Sequence, residues 1–320
     1  MGRIEMTVTQ KIKNYILNDC RMDSVGIAPT SAFMHEPAWH DPEDILPGAK
    51  SVIVFTKRIS RGAIQAAFRA NEDKNFNAQA IYAAYGSNLV PNMNLFFMQF
   101  NIAQYIERNF GYTTTPIPSG PLHNVTSLNK PLPAFVGSKQ TYFQVNPMHA
   151  AMAAGLGELG WNNQLITKEN GPRQRIGLVI TTLELEYDKP SEGRTLCDPE
   201  KCGICEKVCP THAFCKGEID SFEVAGRTYE TAHIDANACA VASLAFRKEF
   251  GMGRRAAIDQ IMTDHPTDEE MAEAFAKKPM SHTTVEHYPI HFCNKCMLYC
   301  PIGGWQEKYG DTGLSDFKAE

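Results

Sequence analysis

The stretch CDPEKCGICEKVCP, from Cys197 to Pro210, decides the fold of the second half of this chain, and CNKCMLYCP, from Cys293 to Pro301, echoes it. In the first motif, gaps of four, two and three residues separate the cysteines, and a proline follows the last. The second motif repeats the gaps of two and three and the terminal Cys-Pro. Short loops with two-residue gaps bind three corners of a cubane iron–sulfur cluster, and a distant cysteine before a proline closes the fourth corner, often that of a neighbouring cluster. Two such motifs predict two [4Fe-4S] clusters.

Structural zinc and disulfides are the alternatives. Paired Cys-x-x-Cys motifs also bind zinc tetrahedrally, but zinc gives no reason for the three-residue gap and the proline to occur twice. The first residues match neither a secretory signal nor a twin-arginine leader. A long chain of this kind is unlike a disulfide-stapled scaffold. The pattern therefore favours clusters.

Two clusters require eight thiolates, and the motifs supply seven of them. These seven are Cys197, Cys202, Cys205, Cys209, Cys293, Cys296 and Cys300. The eighth is Cys20, Cys215 or Cys239. Cys20 ends a predicted helix far from the motifs, and its simplest interpretation is a half-buried thiol. Cys239 lies in a polar loop before a helical run and is preferred, with Cys215 in reserve.

The distant-ligand rule also predicts how the cysteines are shared between the clusters. Cys300 joins the first three cysteines of the first motif. Cys209 then joins Cys239, Cys293 and Cys296.

Length and composition set the class of protein. A chain of 320 residues suggests about two domains, and 43% hydrophobic residues allow a substantial core. The formal charge of −5 argues against a general nucleic-acid binder. No apolar run approaches membrane-spanning length. Ten cysteines and low-potential clusters fit the reducing cytoplasm of an anaerobe.

The periodicity of apolar residues predicts a mixed α/β (α+β) fold. The predicted helices are Thr9–Cys20, residues 78–109 with an interruption near Pro91, and Met148–Gly155; the predicted strands are residues 51–55 and 175–182; residues 116–133 form a long loop. A polar stretch after Tyr187 places the domain boundary near residue 190. The first domain is then 1–190, and the second is 191–320 with a charged helical insertion at about 243–278.

A glycine motif, Gly155-x-Gly157-x-x-Gly160, matches the dinucleotide-binding fingerprint. That fingerprint requires a strand before it and a helix after it, so that the helix N-terminus meets the pyrophosphate. Here a helical segment precedes the motif and an extended one follows. The inverted context argues against NAD, although the glycines still allow a flat cofactor to approach the backbone.

Together these motifs resemble the cobalamin-dependent reductases, the family of reductive dehalogenases and epoxyqueuosine reductases. The resemblance rests on AGLGELG ending at Gly160, on LITKENGPRQR ending at Arg175, on VITTLEL from Val179, and on the two cysteine motifs in order. Cys239 falls where that family keeps a lone cluster ligand. The resemblance implies a nitroreductase-like domain that binds base-off cobalamin, followed by a ferredoxin-like domain with two [4Fe-4S] clusters.

The chain departs from each branch of that family at one place. Dehalogenases usually continue the glycine motif with arginine, whereas Trp161 follows Gly160 here. Epoxyqueuosine reductases carry an acidic proton donor shortly before the motif, and the matching stretch, Thr141–Pro147, has no acid.

The resemblance also implies the site residues. Corrinoid contacts are expected at Gly155, Leu156, Gly157, Gly160, Trp161, Arg173 and Arg175, the arginines because their planar fork suits phosphate. Tyr142 and Tyr85 are candidate proton donors, and Trp161 is also expected to line a substrate pocket with the 116–133 loop.

The predicted function is a cobalamin-dependent iron–sulfur reductase, an oxidoreductase that removes a leaving group from a small organic substrate. Its electrons come from a low-potential donor such as ferredoxin or flavodoxin. Two alternatives stay open: an epoxyqueuosine reductase acting on tRNA, and a ferredoxin-type electron carrier without corrinoid.

Overall fold

A computed structural model gives the fold of most of the chain. It describes residues 5–33, 41–73, 76–87, 89–117, 145–243, 245–250, 259–277, 293–304 and 307.

The first half is built on a four-stranded antiparallel sheet. The strands are β1 (Ser24–Pro29), β2 (Ser51–Arg58), β3 (Thr114–Ile117) and β6 (Gln174–Thr181), in the order β1-β2-β6-β3. The six residues 51–56 of β2 are all buried, as expected for a central strand covered on both faces. The predicted strands at 51–55 and 175–182 are therefore confirmed. The edge strands β1 and β3 were not predicted.

Helices cover both faces of this sheet. The helices of the first half are α1 (Val8–Asn14), α2 (Pro42–Ile45), α3 (Arg61–Glu72), α4 (Phe76–Tyr82), α5 (Leu89–Phe110) and α6 (Pro147–Ala153), with π-helical turns at Tyr15–Asp19 and Ala83–Ser87 and a 3₁₀ turn at Thr30–Phe33. Of these, α1 and α5 cover one face of the sheet and α6 covers the other. A capping box between Thr7 and Gln10 begins α1. The predicted interruption of the long helix falls at the second π-turn, so Pro91 lies in the first turn of α5, where proline is tolerated.

Alternate residues of β2 enter different cores. Val52 and Val54 pack with α6 on one face of the sheet. Ile53 and Phe55 pack with α1 and α5 on the other face. Each such buried side chain contributes roughly 1.5–3 kcal/mol, so this sandwich fixes the position of the glycine motif that follows α6.

The second half consists of short elements around the cysteines. They are β7 (Phe214–Val224), β8 (Arg227–Ile234), α7 (Ile204–Lys207), α8 (Ala236–Ser243), α9 (Asp268–Lys277), α10 (Lys295–Leu298) and a 3₁₀ turn at Lys248–Phe250. Two further short strands, β4 (Glu158–Leu159) and β5 (Leu165–Ile166), pair within the first half. The predicted mixed α/β class is confirmed. Of the predicted charged insertion, the described part holds α9 and the 3₁₀ turn.

The two halves share a hydrophobic core. Residues of α3 and α4 pack with Ile204 of α7 and with Met297, Leu298 and Tyr299 around α10. The Tyr299 hydroxyl also lies 2.5 Å from Glu72 Oε1 at the end of α3. The second cysteine loop therefore packs on the first half through apolar contacts and a partly buried hydrogen bond. Within the described ranges, none of the helices combines the length and the apolar character that a membrane crossing requires.

Candidate iron–sulfur centres

The eight candidate cysteines interact electrostatically mainly within two groups of four, with one further interaction, between Cys296 and Cys205, across the groups. Group one is Cys197, Cys202, Cys205 and Cys300; group two is Cys209, Cys239, Cys293 and Cys296. Within group one, Cys197 and Cys202 each raise the pKa of Cys205 and of Cys300, after burial. Within group two, Cys293 and Cys209 raise the pKa of Cys239, again after burial. The same two sets follow from the distant-ligand rule.

Burial controls the charge of these thiols. It raises the pKa of Cys205 and of Cys239 to about 12, and the pKa of Cys293 and of Cys300 to about 11. Neighbouring thiols add to each shift, because several negative charges in one pocket repel each other. Without a metal these four thiols are therefore protonated at neutral pH, and only a cation bound among them would favour the thiolates.

Backbone N–H groups point at the sulfurs. The Trp161 amide donates to Cys197 Sγ at 3.3 Å, and the Ala213 amide donates to Cys209 Sγ at 3.3 Å. Backbone hydrogen bonds from Lys295 and Ile302 also oppose the burial effect on the pKa of Cys293 and Cys300. Such donors stabilise sulfur-centred negative charge and tune cluster potential. The two groups therefore fit iron–sulfur clusters.

The spacing of the sulfurs bears on the zinc alternative. A tetrahedral zinc ion holds its sulfurs about 3.8 Å apart. Among the described residues, no three of the eight cysteines bring their sulfurs within 4.8 Å of one another. A cubane of four irons needs this wider arrangement.

Glu158, in the glycine motif, anchors the loop that begins group one. Its carboxylate is buried and accepts three backbone N–H bonds, from Thr195 at 2.6 Å, Leu196 at 2.8 Å and Cys197 at 2.7 Å. The Thr195 hydroxyl donates a fourth bond at 3.0 Å. Charge-assisted bonds of this kind are about twice as strong as neutral ones. Sequence reasoning missed this role, although the acid stands inside the quoted AGLGELG motif.

Arg173 holds the loop that ends group one. The residue is buried, and its guanidinium donates to the carbonyls of Ile302 at 2.9 Å, Leu298 at 2.8 Å and Cys300. Its charge lowers the pKa of Cys300 against the larger effect of burial. The family resemblance implied a contact with the corrinoid fringe for this arginine; its observed partners are carbonyls at the end of α10 and in the loop after it.

Tyr82 and Arg175 border group two from the first half of the chain. Tyr82 is buried, and burial raises its pKa. The charge of Arg175 lowers the pKa in part, whereas Cys293 and Cys296 raise it further. Burial lowers the pKa of Arg175, whose guanidinium donates to the Gly86 carbonyl at 3.2 Å. Sequence reasoning expected Arg175 at the corrinoid and did not single out Tyr82, which lies in an unremarkable helix.

The glycines of the dinucleotide-like motif are explained by packing within the chain. Gly155 has φ +72°, and a Cβ there would collide with the Lys189 carbonyl. A Cβ on Gly157 would lie 2.5 Å from the Ile166 carbonyl, and one on Gly160 would lie 2.7 Å from the Ile166 side chain. The neighbouring Leu156 packs against the α6 core. These contacts are with the protein itself, and none of them calls for a corrinoid.

Trp161 lies among the cysteines. Beyond its amide bond to Cys197, its indole Nε1 donates to Glu206 at 2.6 Å, and its side chain packs against the small core of Ala213, Ala232, Ile234 and Ala238. Arg194 stands over the ring at 5.4 Å. The tryptophan that the resemblance places at the corrinoid and the substrate pocket therefore makes its observed contacts with residues of the second half, among them Cys197 and Glu206.

The remaining predicted residues fall in three places. Tyr85 is 57% exposed on the second π-turn. Tyr142 and most of the 116–133 loop lie outside the described residues. Cys20 is buried in the α1 core, as its simplest interpretation predicted, and Cys215 lies on β7.

Known proteins with similar sequences fall into the two groups indicated by the motifs. The tetrachloroethene reductive dehalogenase of Dehalobacter restrictus is 30% identical over 214 residues, which cover 64% of this chain and 31% of that protein. The epoxyqueuosine reductase of Gloeobacter violaceus is 24% identical over 304 residues, covering 92% of this chain and 69% of that protein. The predicted resemblance to both groups is confirmed. The chain spans about a third of the length of the dehalogenase.

Solved structures of both kinds also align with the chain. A reductive dehalogenase structure aligns with a TM-score of 0.48 and 16% identity, covering 88% of this chain and 37% of that one. Epoxyqueuosine reductase from Streptococcus thermophilus aligns with a TM-score of 0.47 and 16% identity, covering 93% and 66%. No protein-family model matches the chain.

Proposed function

We propose that this chain is an iron–sulfur oxidoreductase with two [4Fe-4S] clusters, one in each cysteine group. The observation that carries the proposal is the electrostatic grouping of eight partly or fully buried cysteines into two sets of four, each drawn from both motifs. Similarity to two groups of proteins named as reductases supports it. We place the protein in the cytoplasm, with a low-potential donor such as ferredoxin or flavodoxin as its partner.

The protein groups around the clusters have assigned tasks in this proposal. Glu158 holds the loop before Cys197, Arg173 holds the separate loop around Cys300, and the amides of Trp161 and Ala213 stabilise negative charge on sulfur. Tyr82 and Arg175 exclude water between group two and the first half. Electrons entering at one cluster would therefore meet a dry, fixed path to the next.

For the acceptor, we propose a base-off corrinoid in the first half and reductive removal of a leaving group from a small organic substrate. The support is the sequence resemblance alone, since the residues predicted to contact the corrinoid make their observed contacts with other residues of the chain. When bound, a corrinoid carries the difficult chemistry and the protein supplies positioning.

Epoxyqueuosine reduction on tRNA is the second candidate. It is favoured by the alignment with the Gloeobacter enzyme, which spans most of both chains, whereas the dehalogenase alignment covers less than a third of its protein. The lack of an acid in residues 141–147 counts against it.

One reconstitution separates these functions. The protein is loaded anaerobically with iron, sulfide and hydroxocobalamin, desalted, and analysed for iron and cobalt. About one cobalt per chain with a base-off cobalt(II) spectrum supports a corrinoid reductase, whereas iron without cobalt leaves an electron carrier. Turnover of the loaded protein with chemical reductant, on halogenated phenols and on an epoxyqueuosine-containing tRNA stem loop, then distinguishes the two substrates.

Removal of a leaving group also needs a proton, and Tyr142 is our proposed donor, with Tyr85 as the other candidate. General acids contribute about 10²–10⁴-fold to rate. We expect Tyr142→Phe to lower turnover at least ~100-fold with unchanged iron content, and Tyr112→Phe, an exposed tyrosine, to be neutral. Loss of turnover in Tyr85→Phe instead would move the role to that residue.

A further inference from the structure

The reserve cysteine, Cys215, lies apart from both groups and has other metal-ligating neighbours. Its sulfur, one oxygen of Glu218 and a ring nitrogen of His233 all lie within 4.8 Å of one another. Cys215 and His233 are half-buried, and Glu218 is exposed. Thiolate, imidazole and carboxylate together are a ligand set typical of zinc.

A bulge in the β7–β8 hairpin creates this arrangement. Phe214 pairs with Ile234, and the next pair is Ile219 with Ala232, so four residues of β7 stand opposite His233 alone. Gly217, within the bulge, has φ +81°, a backbone conformation that glycine adopts without strain. Bulges of this kind re-aim side chains, and this one brings both ends of the Cys215–Glu218 loop towards the same imidazole.

A carboxylate already fixes the histidine. Asp220 Oδ1 lies 2.8 Å from His233 Nδ1, which leaves Nε2 as the nitrogen for a metal. Ligating histidines almost always donate their other ring N–H to a carboxylate or carbonyl, which sets the tautomer and raises ligand basicity. Asp220 therefore supplies the outer contact that a metal-binding histidine requires.

We propose that Cys215, Glu218 and His233 bind one Zn²⁺ ion, with water as the fourth ligand. Binding displaces the thiol proton of Cys215, while the imidazole proton stays on Nδ1 beside Asp220. Around zinc, with metal–ligand distances of roughly 2.0–2.3 Å, the ligand atoms stand closer together than here, by about an ångström. The exposed Glu218 side chain allows this movement. The ion cross-links the base of the hairpin, whose residue Ile234 belongs to the small core against which Cys209 and Cys239 of group two pack.

The test uses the full chain with its clusters already assembled, so that the cluster cysteines are occupied. One equivalent of zinc is added, the protein is desalted, and zinc and iron are counted. We expect about one zinc per chain, with an X-ray absorption spectrum of one sulfur at about 2.3 Å and three nitrogen or oxygen ligands. A chelator competition should give at least ~100-fold weaker binding in Cys215→Ser and His233→Gln, and 10–100-fold weaker binding in Asp220→Asn.

The matched control is His265→Gln. His265 also pairs with an aspartate, Asp235, at 2.7 Å, but it is not part of a three-ligand group within the described residues. This variant should keep full zinc affinity. Glu218→Gln, at an exposed position, provides a weakened site in a chain whose folding is not at risk. Zinc bound equally well by Cys215→Ser, or a spectrum with four sulfurs, would overturn the proposal.

Discussion

At the scale of single residues, Glu158 has the most specific task. Glutamine in its place would present an amide to backbone N–H groups that now meet a carboxylate. We expect Glu158→Gln to loosen the loop before Cys197 and to reduce iron from about eight to about four per chain, because group one loses its cluster while group two keeps its own. Glu184→Gln, at an exposed position, should bind iron normally. Full iron loading in Glu158→Gln would contradict this role.

Arg173 combines a structural task with an electrostatic one. Arg173→Gln removes a positive charge near Cys300, so the group-one cluster should become harder to reduce, by on the order of 50 mV. Arg173→Lys keeps the charge and loses the planar fork, so its cluster should load poorly but retain its potential. Redox titration followed by electron paramagnetic resonance measures both effects.

The exposed Arg69→Gln is the control for this pair of variants. It should change neither loading nor potential. If the reduction potential of the group-one cluster is unchanged in Arg173→Gln, the charge of Arg173 has no electrostatic effect on the cluster.

At the scale of elements, the glycine motif follows α6 in a turn that only glycine fits. Gly155→Ala adds a strained positive φ and a collision with the Lys189 carbonyl. Gly111 has a similar φ of +76° and open space where a Cβ would stand, so Gly111→Ala isolates the backbone strain, about 1–2 kcal/mol. We expect Gly155→Ala to lower the free energy of unfolding by at least ~2 kcal/mol more than Gly111→Ala. If urea unfolding gives the two variants the same loss of unfolding free energy, the Lys189 carbonyl moves aside at no energetic cost.

The strongly patterned elements were predictable from sequence. The strands β2 and β6 are runs of mostly buried, largely apolar residues, and α1 has apolar residues at helical spacing and a capping box. The local sequence pattern was therefore sufficient to predict these three elements. The edge strands β1 and β3 and the β7–β8 hairpin have weaker alternation, and their pairing depends on partners far along the chain. Distant contacts were equally invisible: the sequence revealed the cysteine ligands, but it did not reveal that Glu158 holds the loop before Cys197 or that Arg173 holds the separate loop around Cys300.

The dinucleotide-like motif shows how a correct pattern acquires a different meaning in the fold. Its three glycines are required by Lys189 and Ile166 of the same chain, and its acid binds the first cysteine loop. The motif therefore joins the sheet to the cysteine loops, which is a task that spacing alone does not reveal.

At the scale of the whole molecule, the buried thiols link stability to pH. Their pKa values in the folded, metal-free chain are raised, to about 11–12 for four of them. Protonated thiols in the fold therefore contribute stability that is fully present below their unfolded pKa, about 8.5. That contribution is lost as pH rises through 11–12.

We accordingly expect the chelator-stripped protein to unfold more easily as pH rises from 9 to 11. The cluster-loaded protein shares all its lysines and tyrosines and serves as the control; its decline should be smaller, because its thiolates are bound to iron. Parallel urea titrations at the two pH values measure the difference. An equal decline in both forms would contradict the proposed effect of thiol burial.

Two clusters, each bound by four cysteines, require a defined amount of iron, which can be measured on the anaerobically reconstituted chain. We predict about eight irons and eight sulfides per chain, still about eight in Cys215→Ala, and about four in Cys239→Ala. About four irons in the unmodified chain, or zinc in place of iron in the two groups, would contradict the presence of two clusters.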